Sequence, residues 1–538
     1  MPPNEVIPII FVPGIMGSNL RNRDNKESVW NASTLLTLAW QWAFRSAKTR
    51  QIKLNPAVTE ADPDGKIPKV ADYVGDDEKL QDLDEDHLRE RGWGSVSNYG
   101  YGDFMAWLEP TLNKGNTNPW VGLVSKKGDS SDGAGGSNNE KGSKEPTPAP
   151  EGWGAQKDFS PLSALEASNA WAAQCPLYGA GYNWLQSNGE SAMDLATWID
   201  EIIAEWQGKE VNGKKLYRCE RVILVTHSMG GLVSRAAVHA EYGNAADRIL
   251  GICHGVMPAD GAAASYHHVR SGYNGFSRFV LGKDAAQVTA IFANACGPLE
   301  LLPNNLYGNG WLKAADRSGP GSHELFALPK GDPYIEIYPK RDVWWRLIDP
   351  DLIDPAGNVG GQKTANGAVS DPWLDMYTKK LMAADQFHAD IGMTYHASTY
   401  VHYGADPERH SYSNIVWETS DAITLANEEL LSAPPVNAAG FAALKLALTI
   451  GKDNSDPARV AQDGDHAVFE IANAAESGDD TVPENSGAGP FIRGGGNVRQ
   501  SFRLPTMSEG HASSYDDKNI QQITLYSIAK IISGERAI

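Results

Sequence analysis

The stretch Val222–Ala237, VILVTHSMGGLVSRAA, joins an apolar run to an amphipathic one through a Thr-His-Ser-Met-Gly-Gly corner. A serine on such a corner is a nucleophile when a strand ends and a helix begins around it, because the turn lifts the hydroxyl above the sheet. Small residues are wanted two places before and two after it, where strand and helix nearly touch. Gly230 fills the second place; Thr226, bulkier than the usual glycine, fills the first. The alternative is a serine that merely caps the helix.

A nucleophilic serine needs an oxyanion hole, a base and an acid. The backbone N–H of Met229 is one expected oxyanion donor. The other should come from the loop after an early strand, and VIPIIFVPGIMGS (Val6–Ser18) offers one, with Ile15 N–H the expected donor and Met16 next. Acid and base should follow in the order Ser, Asp, His. ESGDDTVPENSG (Glu476–Gly487) and SEGHASSYDDKNI (Ser508–Ile520) each follow an expected strand. Asp479 would then hold the imidazole of His511, the general base. Asp480 and Asp260 are the alternative acids. His227 is read as a supporting side chain, His254 as a core partner within a strand, and His267 and His268 as residues of a later helix or loop.

The elements around the corner must hold it. Val6–Val12 reads as a buried strand breaking at Pro13-Gly14, and CPLYGAGYNW as a strand ending in a turn. Met193, Leu195, Trp198, Ile202, Ile203 and Trp206 recur at helical spacing, with a glycine after Gln207. RVILVT is continuously apolar, as a strand covered on both faces should be. ILGICHGVMP is the next strand. This alternation predicts an α/β fold with a mainly parallel sheet flanked by helices. We expect one domain over 1–538, with core segments 5–20, 171–262 and 465–538. Large insertions are expected at 21–170, holding a low-complexity loop at 125–152, and at 263–464 as a cap or lid.

The net charge is −20. That argues against nucleic acid and against electrostatic capture by anionic membranes, so membrane contact is expected to be apolar and transient. Sixteen tryptophans suit a surface apolar on one side and wet on the other, although most are expected to pack the interior. Cys175, Cys219, Cys253 and Cys296 form no CxxC pair and read as reduced thiols. MPPNEVIPIIFVPGIMG has no basic n-region, and no apolar run is long enough to span a bilayer. The expectation is a chain made in the cytoplasm that would leave the cell by a route needing no cleavable signal. HExxH, phosphate-loop and dinucleotide patterns do not occur, and DPDG (Asp62–Gly65) reads as a turn, so no cofactor and no metal is expected.

PIIFVPGIMGS, GYNW, THSMGGLVSR, and GDDTVP followed by a late Gly-His together resemble the lecithin:cholesterol acyltransferase and lysosomal phospholipase branch of the α/β-hydrolases. The related lipases that resemble the GPI-anchor inositol deacylase share these marks. The resemblance implies Ser228, Asp479 and His511 as triad and Ile15 and Met229 as oxyanion hole, in a lipase or phospholipase working through an acyl-enzyme. The branch usually has YDWR where this chain has YNWLQS (Tyr182–Ser187). HGVMPADGAAASYHHVRSGY further resembles inositol-deacylase-like lipase effectors of bacterial type VI secretion. That implies a phospholipid target in another cell, a cognate immunity protein and a secretion-apparatus partner. The rival readings are a lipid transacylase and a catalytically inactive binding protein of the same fold.

Overall fold

The structure is a computed structural model. It describes residues 4–536 except 71–83, 114–117, 125–149, 274–276, 320, 364–367, 421, 422, 424, 425, 435, 436, 440–444 and 450–465. Nearly all of the low-complexity loop expected at 125–152 lies outside the described residues.

Six parallel strands form the central sheet: β1 (Ile9–Val12), β2 (Leu177–Gly179), β3 (Val222–His227), β4 (Ile249–Gly255), β5 (Thr399–Gly404) and β6 (Val498–Leu504), in the order β6-β5-β4-β3-β1-β2. The helices that matter to the site are α1 (Leu35–Trp42), α2 (Ala47–Lys53), α3 (Asn98–Asn113), α4 (Asn188–Gly208), α5 (Gly230–Val238), α6 (Ser277–Leu281), α7 (Ala285–Phe292) and α8 (Lys518–Arg536). The sheet is covered on both faces because its strands are apolar on both. In β1, Ile10 and Val12 join a core with residues of α4 and α5, whereas Ile9 and Phe11 join one with residues of α3 and α8. This is the α/β-hydrolase fold expected from the sequence. α4 begins at a capping box of Ser187 and Glu190 and buries Leu195, Ile199, Ile202 and Trp206 at helical spacing.

Two segments differ from the expected division. β5 lies inside the stretch read as an insertion, yet it pairs with β4 and β6 at the heart of the central sheet. His466–Ile471, read as returning core, instead joins a second six-stranded sheet with Leu312–Asp316, His323–Leu328, Ile415–Thr419, Asn437–Ala439 and Lys445–Thr449. Trp311, Trp344, Trp345, Trp373 and Trp417 pack a separate core with this sheet. None of the four cysteines is in a disulfide. No helix among the described residues is long and apolar enough to cross a membrane.

The histidines around the sheet make stability depend on pH. Burial pushes His227 and His254 down from about 6.5 to about 3 and His402 to about 4. Unfolding frees these rings to bind protons near pH 6.5, so their neutral burial is fully tolerated above that pH and opposes folding increasingly below it. Each contributes a loss of about 2 kcal/mol at pH 5. Glu300, pushed up to about 7 by burial, acts in the opposite sense between its ordinary value and 7. The histidines outnumber it, so the urea midpoint should be lower at pH 5 than at pH 7.5. A midpoint that stays level or rises on acidification would contradict this balance.

Candidate active site

Ser228 sits where β3 gives way to α5, with φ +51°, a left-handed conformation that a non-glycine residue rarely holds. Its N–H bonds the Gly255 carbonyl of the neighbouring strand at 2.9 Å, and its carbonyl accepts from Gly231 N–H at 2.9 Å. Gly230 is required by space: a Cβ there would lie 2.4 Å from both the Pro13 and the Val12 carbonyl oxygens. Thr226 fits where glycine was expected. It pairs in register with His254 of β4, and its hydroxyl meets His254 Nδ1 at 3.0 Å.

The serine hydroxyl lies 2.9 Å from His511 Nε2, and His511 Nδ1 lies 2.8 Å from Asp479 Oδ2. His511 opens a short 3-10 turn between β6 and α8, and its backbone N–H bonds the Asp479 carbonyl at 2.8 Å. The acid is buried, and its other oxygen accepts the N–H groups of Thr481 (3.0 Å) and Val482 (2.7 Å). An ionised carboxylate can only accept, so His511 Nδ1 carries the proton and Nε2 is free to accept from the serine. The alternative acids are engaged elsewhere. Asp480, with φ +79°, pairs with Arg409 at 2.7 Å. Asp260 is buried against Arg493.

The loop after β1 packs against the serine, a Cβ on Gly14 falling 2.9 Å from that of Ser228, and both line one cavity. Gly14 N–H is spent on the Tyr101 hydroxyl at 3.1 Å and Gly17 N–H on the Gly14 carbonyl at 3.0 Å. The N–H groups of Ile15, Met16 and Met229 have no acceptor among the described residues.

The sequence gives no sign of one contact here. His227 is buried; its Nε2 bonds the His511 carbonyl at 2.8 Å and its Nδ1 the Tyr101 hydroxyl at 2.8 Å. A carbonyl only accepts, so Nε2 carries the proton. Burial, reinforced by His511, keeps the ring neutral, and Nδ1 therefore accepts from Tyr101. Tyr101, from α3, thus ties the oxyanion-side loop to the backbone of His511 through His227. Its hydroxyl is pushed well above the usual range by burial, so it remains a donor.

The cavity measures about 360 Å³. Among the described residues that line it there is no Asp, Glu, Lys or Arg. Its far wall is apolar, with Trp30, Val288, Ile291, Phe292 and Leu301. Leu38 of α1 and Val280 and Leu281 of α6 also line it. The two helices are tied by the buried Arg50 guanidinium, which donates to the Trp42 carbonyl at 3.0 Å and the Val280 carbonyl at 2.7 Å. Away from the cavity they present Leu36, Trp40, Phe44 just past α1, and Phe279 to solvent, exposed by 66, 81, 90 and 44%. Trp40 is the only exposed tryptophan of the sixteen. His268 lines the cavity and stacks on Tyr273; His267 stacks on Tyr412 instead. No group of three or more His, Cys, Asp or Glu side chains among the described residues is placed to hold a metal ion.

No protein-family model and no curated protein matches the chain. Among solved structures, it is similar to a chain of the crystal structure of the Tle4–Tli4 complex, at 30% identity over 98% of both chains and a TM-score of 0.72. The likeness over the full length is therefore to Tle4, rather than to the lecithin:cholesterol acyltransferase branch that the short motifs suggested. The chain belongs to the Tle4 family and carries it on an α/β-hydrolase fold.

Proposed function

We propose that this protein is a serine hydrolase that cleaves carboxylic esters of lipids, a lipase or phospholipase acting as a type VI secretion effector. The observation that carries the reading is the line Ser228–His511–Asp479 at the wall of an uncharged, largely apolar cavity. Ser228 Oγ attacks the acyl carbonyl carbon while His511 Nε2 takes its proton. Ile15 and Met229 N–H groups receive the oxyanion. His511 returns the proton to the leaving alcohol, and water then releases the acyl group by the same steps in reverse. Asp479 keeps the imidazole in the required tautomer.

The cavity suits an acyl chain because apolar surface is released from water when one enters, and no charge there would have to be desolvated. The exposed stripe Leu36–Trp40–Phe44 supports a lipid surface as the place of work, since such a face is costly in water and lies along the helix whose Leu38 lines the cavity. The relation to Tle4, solved in complex with Tli4, supports the effector reading and a cognate immunity partner. Defined phospholipids and a triacylglycerol should be incubated with wild type and Ser228→Ala, with and without an added alcohol. Release of fatty acid by wild type alone supports the reading. Acyl transfer to the alcohol would make it a transacylase. Inertness on every ester would overturn it.

Tyr101→Phe tests the positioning of the base. The change strands Gly14 N–H and His227 Nδ1 in a buried place, at about 1–3 kcal/mol each. We expect kcat on a soluble ester to fall about 10- to 100-fold with KM little changed, because the acyl cavity keeps its apolar wall. A wild-type kcat would show that the Tyr101–His227 link positions nothing that matters to turnover.

A further inference from the structure

The chain carries a net charge of −20, but its charge is unevenly placed. Residues 28–59, which contain α1 and α2, hold no Asp or Glu and four cations, Arg45, Lys48, Arg50 and Lys53. Arg50 is buried and spent on tying α1 to α6. The other three are exposed, as are Arg278 of α6 and Lys283 just beyond it. None of these five forms an ion pair with another described residue. Four of them adjoin exposed apolar residues along the chain: Arg45 follows Phe44, Arg278 precedes Phe279 with its guanidinium 5.8 Å from that ring's centroid, and Lys48 and Lys53 flank the half-exposed Ile52.

Three acids in the neighbouring segments are held by other groups. Asp284 caps the N-terminus of α7 by accepting from Gln287 N–H. Asp354 accepts the N–H groups of Asn358, Val359 and Gly360 and is bonded by Gln51. Asp349 pairs with Arg346. An apolar stripe edged by unpaired cations is complementary to a surface with an apolar interior and anionic headgroups.

We infer that the α1–α2–α6 face is a docking surface selective for anionic phospholipid bilayers, with Trp40 and Phe44 entering the apolar layer and the flanking cations meeting lipid phosphates. This rests on the reading of the cavity as a lipid-ester site, and it names the kind of bilayer that site is brought to. It also departs from what the net charge alone implies. Screening confines attraction to charges within roughly 10 Å of the membrane, so a local basic rim acts while distant acids do not.

The test is partition of the full-length Ser228→Ala protein onto vesicles, measured by sedimentation, so that hydrolysis plays no part. Vesicles of phosphatidylcholine alone are compared with vesicles containing phosphatidylglycerol. Binding to the second should be about tenfold tighter or more at low salt, and the difference should vanish at high salt. The combined change Arg45→Glu, Lys48→Glu and Arg278→Glu should abolish the preference while weak binding to phosphatidylcholine remains. Trp40→Ser with Phe44→Ser should weaken both. Should a variant fail to fold by its thermal melt, the salt dependence of the parent protein decides. Equal binding to both vesicles, a preference that ignores charge reversal, or binding to neither would overturn the inference, the last pointing to a protein as the occupant of this face. Failure of the hydrolase reading would look different: wild type would release no fatty acid, yet the Ser228→Ala protein would still sort between vesicles.

Discussion

Ser228→Ala should lower turnover of a soluble ester by about 10⁶ while leaving the fold and the vesicle binding intact. The size follows from the geometry. The hydroxyl is the atom that forms the covalent bond, and among the described residues no other serine or cysteine hydroxyl or thiol stands within hydrogen-bonding distance of His511 Nε2. The substitution costs the fold little, because alanine removes one oxygen and keeps the Cβ that the φ of +51° already accommodates. His511→Ala should fall by a similar factor, and the double variant should fall hardly further, because the two groups act as one unit. Steady-state kinetics with active-site titration measure this. A Ser228→Ala protein as active as wild type would remove the nucleophile from the account.

Asp479→Asn should lower kcat by about 10⁴, whereas Asp480→Asn and Asp260→Asn should not lower it by more than about tenfold. The amide keeps the shape of the acid but donates where the carboxylate accepts, so it favours the imidazole tautomer that cannot take the serine proton. Asp479 is 2.8 Å from His511 Nδ1. Asp480 is instead clamped by Arg409, which also holds the Met507 carbonyl at 3.1 Å and the Ser508 carbonyl at 2.8 Å, ahead of His511. Its loss should be felt as a looser His511 loop. Asp260→Asn leaves the partly buried Arg493 without its counter-charge, so its cost should appear in the thermal melt rather than in kcat. The three variants side by side separate the three candidate acids. A collapse of kcat in Asp480→Asn alone would reassign the acid.

The residues that line up at the site are legible in the sequence because each lies at a corner whose chemistry is local. A fully apolar strand running into Ser-Met-Gly-Gly leaves little freedom of interpretation, and Gly230 is dictated by two carbonyls less than 2.5 Å from where a Cβ would be. The cap hides more. β5, TYVHYG, is a buried strand with a histidine and two tyrosines among loops, so no helix pattern beside it marks it as core. His466–Ile471 has the alternation of a strand, but a strand pattern cannot say which of two sheets it joins. Tyr101 and His227 are 126 positions apart, and nothing local announces their bond. The stripe Leu36, Trp40 and Phe44 has helical spacing that would ordinarily mean a buried face. In the structure the buried face carries Leu38 and Trp42 instead, and the stripe is left in solvent. Whole-chain charge likewise conceals the basic rim, since electrostatics at a surface depends on where charges sit.

The most direct test of the central claim is labelling of the folded wild-type protein with a fluorophosphonate, followed by peptide mass spectrometry. The account predicts a single adduct on the Ser228 hydroxyl, formed rapidly in wild type and lost in His511→Ala, where no base can take the serine proton. No adduct, or an adduct on a different serine, would contradict it and leave the corner after β3 as a turn without chemistry.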